Sequence, residues 1–119
     1  MINVKMNIRN DGFCVAIEGH AEDEVKRNPL VCAAVSMLIT TLAQVSKDEI
    51  EFSQKLFGEK NTVSGYFKLE PGDSIVNMDL GYMFPISISD YLKFFESGIR
   101  LLQENYNGLV NLEYIDQRR

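Results

Sequence analysis

Residues 30–45, "LVCAAVSMLITTLAQV", carry no charged side chain. Val31, Val35, Leu38, Leu42 and Val45 recur every three or four positions, which places them on one stripe of a helix. A helix with so few charges must be covered on most sides, so the rest of the chain has to supply a broad apolar surface. Asn28 stands where its side chain can cap this helix, and Pro29 where a missing N–H costs nothing.

Alternating segments supply that surface. Residues 2–8 and 13–18 read as two strands joined at "RNDG", where Asn10, Asp11 and Gly12 are expected to provide the positive φ angles of a tight hairpin turn. In the second strand Phe13, Val15 and Ile17 share one face, and Cys14, Ala16 and Glu18 the other, with His20 just past the end on that second side. Residues 62–69 and 74–80 form a second hairpin around "EPGD", after a polar stretch "SKDEIEFSQKLFGEKN". Beyond "GYMFP", Ser87 or Ser89 is expected to cap a second helix running to about residue 106. Its inner face is Tyr91, Leu92, Phe95, Ile99 and Leu102, and Gly108 is its stop. "LVNLEYID" has strand character. The order predicts an α+β fold, a two-layer sheet with two helices, β-β-α-β-β-α-(β), forming a single domain over residues 1–119.

Composition limits the partners. At 119 residues a core is large enough to be stable without disulfides or a structural metal. The net charge of -5, with Lys and Arg spread thinly, offers no basic field for phosphates, so no direct nucleic-acid binding is expected and a basic partner suits better. The N-terminus "MINVKMNIRND" alternates and lacks the apolar run of a signal peptide. No segment is expected to cross a bilayer, which requires roughly 20 apolar residues. A cytoplasmic protein with two free thiols, Cys14 and Cys32, follows. One His and two Cys fall short of a tetrahedral zinc site, and no cofactor is implied.

His20 and Cys32 can nevertheless do chemistry together. A thiol near a helix start feels the positive end of the macrodipole, and an adjacent imidazolium adds to it, so that the two together draw the thiol toward ionisation near neutral pH. The small Ala33 and Ala34 leave room for a substrate backbone, and the amides of the first helical turn can stabilise an oxyanion. The plainer alternative is a small core cysteine and a hydrogen-bonded surface histidine. Cys14, inside a strand, reads as core. The charged run between the pair, residues 22–28, reads either as a solvated loop or as a lid over the site.

"GHA" at Gly19 to Ala21 followed by "VCAAVS" at Val31 to Ser36, with His and Cys twelve positions apart, resembles the bacterial ribosomal-processing cysteine protease family, Prp. The resemblance implies a His-Cys dyad with His20 as general base and Cys32 as nucleophile, and a Ser36 that helps to position substrate or helix. It implies an endopeptidase that removes the N-terminal extension of a basic large-subunit ribosomal protein precursor, cleaving after an aromatic residue, and a homodimer with a flexible glycine-containing loop. Two features depart from the family pattern. Residues 22–28 contain no glycine, and Pro29 stands where the family carries an Asp. Both bear on substrate choice and loop closure rather than on the dyad. Beside this reading stand a non-catalytic binding module for a basic ribosomal or assembly protein, and a redox sensor in which Cys32 and Cys14 pair.

Overall fold

A computed structural model describes residues 1–21, 28–81 and 84–119. The elements run β1 (Ile2–Arg9), β2 (Gly12–Gly19), α1 (Pro29–Phe57), β3 (Ser64–Glu70), β4 (Asp73–Asp79), α2 (Ile86–Asn105) and β5 (Val110–Asp116), the expected α+β order, with a short 3-10 turn at Gly58–Lys60 after α1. The five strands form one mixed sheet in the order β3-β4-β2-β1-β5. Both hairpins are antiparallel, β2 joins β4 antiparallel, and β5 returns beside β1 in parallel.

Period two sorts the sheet into two faces. Val4, Met6, Phe13, Val15, Val76 and Met78 point to one side and are fully buried. There they join Val31, Val35, Ile39 and Leu42 of α1 and Ile88, Leu92, Phe95 and Ile99 of α2 in a single cluster. Each such side chain taken out of water contributes about 1.5–3 kcal/mol before chain entropy is counted. The opposite face carries Lys5, Cys14, Glu18, Asn77 and Glu113, and among the described residues no helix covers it.

The first hairpin turns without the expected backbone. No described non-glycine residue has a positive φ, and Gly12 has none either. Gly12 serves instead for close approach: a Cβ there would stand 2.0 Å from the carbonyl oxygen of Met78 in β4. The second turn follows its sequence, with Pro71 leading into Gly72 at φ 72°.

Helix α1 continues 12 residues beyond Val45, through the stretch that reads as merely polar. Its buried stripe persists through Ser46 and Ser53, with Ile50 half-buried between them. Ser53 Oγ donates to Asn61 Oδ1, and Gly58 ends the helix with its N–H on the carbonyl of Gln54. The helix is also less covered than its composition suggests, since Leu30 and Met37 are 73% and 68% exposed. By length and composition α1 is apolar enough to cross a bilayer, contrary to the reading of the sequence. Its stripe is occupied by the sheet, as in the core helix of a soluble protein. At α2 neither serine is the cap: Pro85 precedes the helix, and its carbonyl accepts from the N–H of Ser89 at 3.0 Å.

Candidate active site

His20 owes its place to the glycine before it. Gly19 has φ 94°, a left-handed angle that ends the strand's alternation. The imidazole therefore does not continue the Cys14 and Glu18 face, as period two predicts. It lies at the helix-side end of the sheet, in a groove shared with Ile17, Val35 and Ile39. Gly19 N–H also donates to the carbonyl of Gly72 at 2.9 Å, which ties the end of β2 to the β3–β4 turn.

Cys32 is positioned by the cap of α1. Asn28 Oδ1 accepts from the amides of Leu30 and Val31 at 3.1 and 3.2 Å, and its backbone carbonyl accepts from Cys32 N–H at 3.2 Å. Pro29 has no N–H to offer. The first-turn amides of Leu30, Val31 and Cys32 thus each have an acceptor in Asn28. A different donor reaches the sulfur: the backbone N–H of Ala21 points at Cys32 Sγ from 3.4 Å. Ala21 and Asn28 are themselves joined, Asn28 N–H donating to the Ala21 carbonyl at 2.5 Å. The residue after His20 and the residue that opens α1 therefore hold each other, and His20 and Cys32 are brought to one groove.

They line a groove of about 150 Å³ together with Ser36, which sits one helical turn beyond Cys32 and is exposed. Its floor is apolar, from Ile2, Ile17, Val35 and Ile39, and one side is the turn Glu70, Pro71 and Gly72. Ala33 and Ala34 lie elsewhere on the helix surface and are not among the groove's lining residues. The reading of residues 22–28 as loop or lid falls, apart from Asn28, outside the described residues. Among the described residues no group of His, Cys, Asp and Glu is arranged to hold a metal.

Cys14 is not core. It is half-buried on the uncovered face of the sheet, paired across the strands with Asn7 and Asn77, and burial pushes its thiol pKa up. It stands on the opposite side of β2 from the groove, which sets it apart from Cys32 and speaks against a disulfide between them.

The family pattern described as cysteine protease Prp matches residues 1–111. The chain belongs to this family. It is accordingly a cysteine protease, which sets aside the non-catalytic binding module. Solved structures similar to it include SMU.848 from Streptococcus mutans, 24% identical, with a TM-score of 0.61 over 98% of this chain and 96% of that one. The ribosomal processing protease Prp from S. aureus is similar both with a covalently linked product peptide, at 15% identity and TM-score 0.62, and with a substrate peptide, at 14% and 0.57. Each of those comparisons covers 96% of this chain and 99% of the other. At such identities the likeness is one of fold. Comparison with curated proteins finds no match.

Reading the sequence as that of a Prp protease brings His20, Cys32 and Ser36 forward but not the β3–β4 turn. "EPGD" carries a turn signal and nothing more, because its approach to His20 is made by the order of strands in the sheet. The apolar floor is likewise visible only as strand and helix pattern.

Proposed function

We propose that this Prp-family chain is an endopeptidase with a His20–Cys32 dyad, acting on the N-terminal extension of a basic ribosomal-protein precursor. The observation that carries the proposal is the shared groove, where His20 and Cys32 stand with an N–H directed at the sulfur. His20 takes the proton of the Cys32 thiol, and the thiolate attacks the peptide carbonyl carbon. The carbonyl electrons move onto oxygen, and collapse of the adduct expels the amine, which takes its proton from the imidazolium. His20 then deprotonates a water that attacks the thioester, releasing the acid and the thiol.

Ala21 N–H and the amides of the first turn of α1 are the backbone donors beside the thiol, and each would exchange its present acceptor for the oxyanion. Ser36 positions the substrate along the groove, and the apolar floor suits a large apolar side chain. The net charge of -5, and the carboxylate of Glu70 at the groove's edge, suit a basic segment. The S. aureus relative is described as an essential ribosomal processing protease in complex with a covalently linked product peptide, which supports a peptide from a ribosomal protein as the substrate. A cytoplasmic location accords with such a substrate.

A homodimer completes the reading. Met37 of α1 and Ile86, Phe94 and Leu101 of α2 are left exposed, and Val45, Tyr91 and Phe94 line a cleft between the helices. Such a surface favours association over water. Phe94→Asp should then convert a dimer to a monomer in sedimentation. A wild-type chain that sediments as a monomer at micromolar concentration would remove this part of the proposal.

The catalytic part is tested by incubating the reduced protein with peptides spanning the N-termini of ribosomal-protein precursors. Wild type should cleave at one bond, and Cys32→Ala and His20→Ala should not. Cleavage that survives both substitutions, or is absent with every peptide, would contradict the dyad.

A further inference from the structure

We propose that Gly72, in the turn of the second hairpin, is a positioning residue for the general base, and that this turn is part of the catalytic apparatus rather than a connection at the groove's edge. The inference rests on the His20–Cys32 reading above. Its physical content is a contact. A Cβ built on Gly72 would stand 2.7 Å from Nε2 and 2.8 Å from Cε1 of His20, so the imidazole edge lies where any other residue would carry a side chain. The same Cβ would come within 3.4 Å of the Gly19 carbonyl oxygen, in the peptide that leads into His20.

The turn also holds the backbone. Gly72 accepts from Gly19 N–H at 2.9 Å, so the segment bearing His20 is fixed to β3–β4 at the residue where β2 loses its regular angles. Two glycines with positive φ, 94° at Gly19 and 72° at Gly72, thus meet beside the base. The first releases His20 from the strand. The second forms the flat surface against which the ring rests. An added methyl at Gly72 must displace the ring or the turn, since contacts below 3.0 Å are not tolerated by either. A shift of about 1 Å in a catalytic group costs up to about 100-fold in rate.

Positive φ alone makes any L-residue at Gly72 costly, so the test needs a control with that cost and without the contact. The fold contains two. Gly58 at φ 56° and Gly108 at φ 82° have nothing within 4 Å of a built Cβ. We would compare Gly72→Ala with Gly58→Ala and Gly108→Ala, each in the full chain, for melting temperature, for iodoacetamide alkylation of Cys32 at pH 7, and for kcat and KM on a cleaved peptide. Gly72→Asn, which tolerates the left-handed angle better than Ala, is the second variant.

Gly72→Ala should lose at least as much melting temperature as Gly58→Ala and Gly108→Ala, since it carries a positive-φ cost and the contact besides. Only the two Gly72 variants should slow Cys32 alkylation, by about 10-fold or more, and lower kcat by about 10- to 100-fold with KM kept within about threefold. Equal alkylation and kcat in Gly72→Ala and Gly108→Ala would overturn the inference. So would failure of both Gly72 variants to fold while Gly108→Ala folds, because the cost would then belong to the turn and not to the base. If wild-type Cys32 reacts no faster than Cys32 in His20→Ala, the dyad itself falls and the inference with it. A fast wild type with unaffected Gly72 variants removes the inference alone.

Discussion

The two cysteines of this chain sit on opposite faces of β2 and differ in almost every feature that governs a thiol. Cys14 is in mid-strand, where both neighbours in the ladder are other strands and partial burial raises its pKa. The amide oxygens of its cross-strand neighbours Asn7 and Asn77 are buried and unpartnered among the described residues, and the opposing pull of the Arg9 charge on the thiol is smaller than the effect of burial. Cys32 is at a helix start, with a backbone N–H on its sulfur and a histidine in the same groove. The difference lies in where an element ends. Inside a strand the backbone donors are spent on the ladder, whereas at the junction of β2 and α1 the chain turns, and an N–H becomes available to a side chain.

The largest contrast between the two should appear in catalysis. Cys32→Ala should lower peptide cleavage by at least about 1,000-fold, as loss of a nucleophile does elsewhere. Cys14→Ala should leave it unchanged in the same assay. Loss of activity with Cys14→Ala in a folded protein would place chemistry on the uncovered face and break the comparison.

Next in size is reactivity. At pH 7 iodoacetamide should modify Cys32 at least about 10-fold faster than Cys14, read by mass spectrometry of the digested protein. Comparable rates at the two sites would mean that helix start and groove confer nothing on the thiol. The cap sharpens the same point. Asn28→Ala frees the amides of Leu30 and Val31 and should cost about 1 kcal/mol in denaturant unfolding. It should slow alkylation of Cys32 and not of Cys14, since only Cys32 stands in the helical turn that the Asn28 side chain caps.

The smallest effect concerns the pH dependence of Cys14. Its folded pKa is raised above the unfolded value, so folding keeps its full stability below the unfolded pKa and loses some as pH rises through the folded pKa. The loss should reach no more than about a few tenths of a kcal/mol, because more than half of this group is open to solvent screening. Cys14→Ala should remove that part of the alkaline decline, as seen in urea unfolding at pH 8 and pH 10. An unchanged decline would assign it to other groups.

Much of this arrangement is legible in the sequence where the signal is local. The hairpins show as alternation broken by "RNDG" and "EPGD", and the start of α1 shows as Asn28 and Pro29 before an uncharged run. The remainder is hidden for identifiable reasons. The second half of α1 keeps its stripe through Ser46 and Ser53, which hydropathy counts as polar although both are buried. The start of α2 uses the carbonyl of Pro85 and not a side chain, so no capping residue marks it. His20 leaves the face assigned by period two because Gly19 adopts a left-handed angle, which a sequence permits but does not require. The approach of Gly72 to His20 comes from β4 pairing with β2, a choice of sheet order that local patterns do not encode.

The central claim is that His20 makes Cys32 the reactive thiol, and the direct measurement is the alkylation rate at Cys32 in wild type and in His20→Ala at pH 7, with Cys14 as the reference in the same molecule. The dyad predicts that the His20→Ala substitution slows Cys32 by about 10-fold or more and leaves Cys14 as it was. Equal rates at Cys32 with and without the imidazole would contradict it.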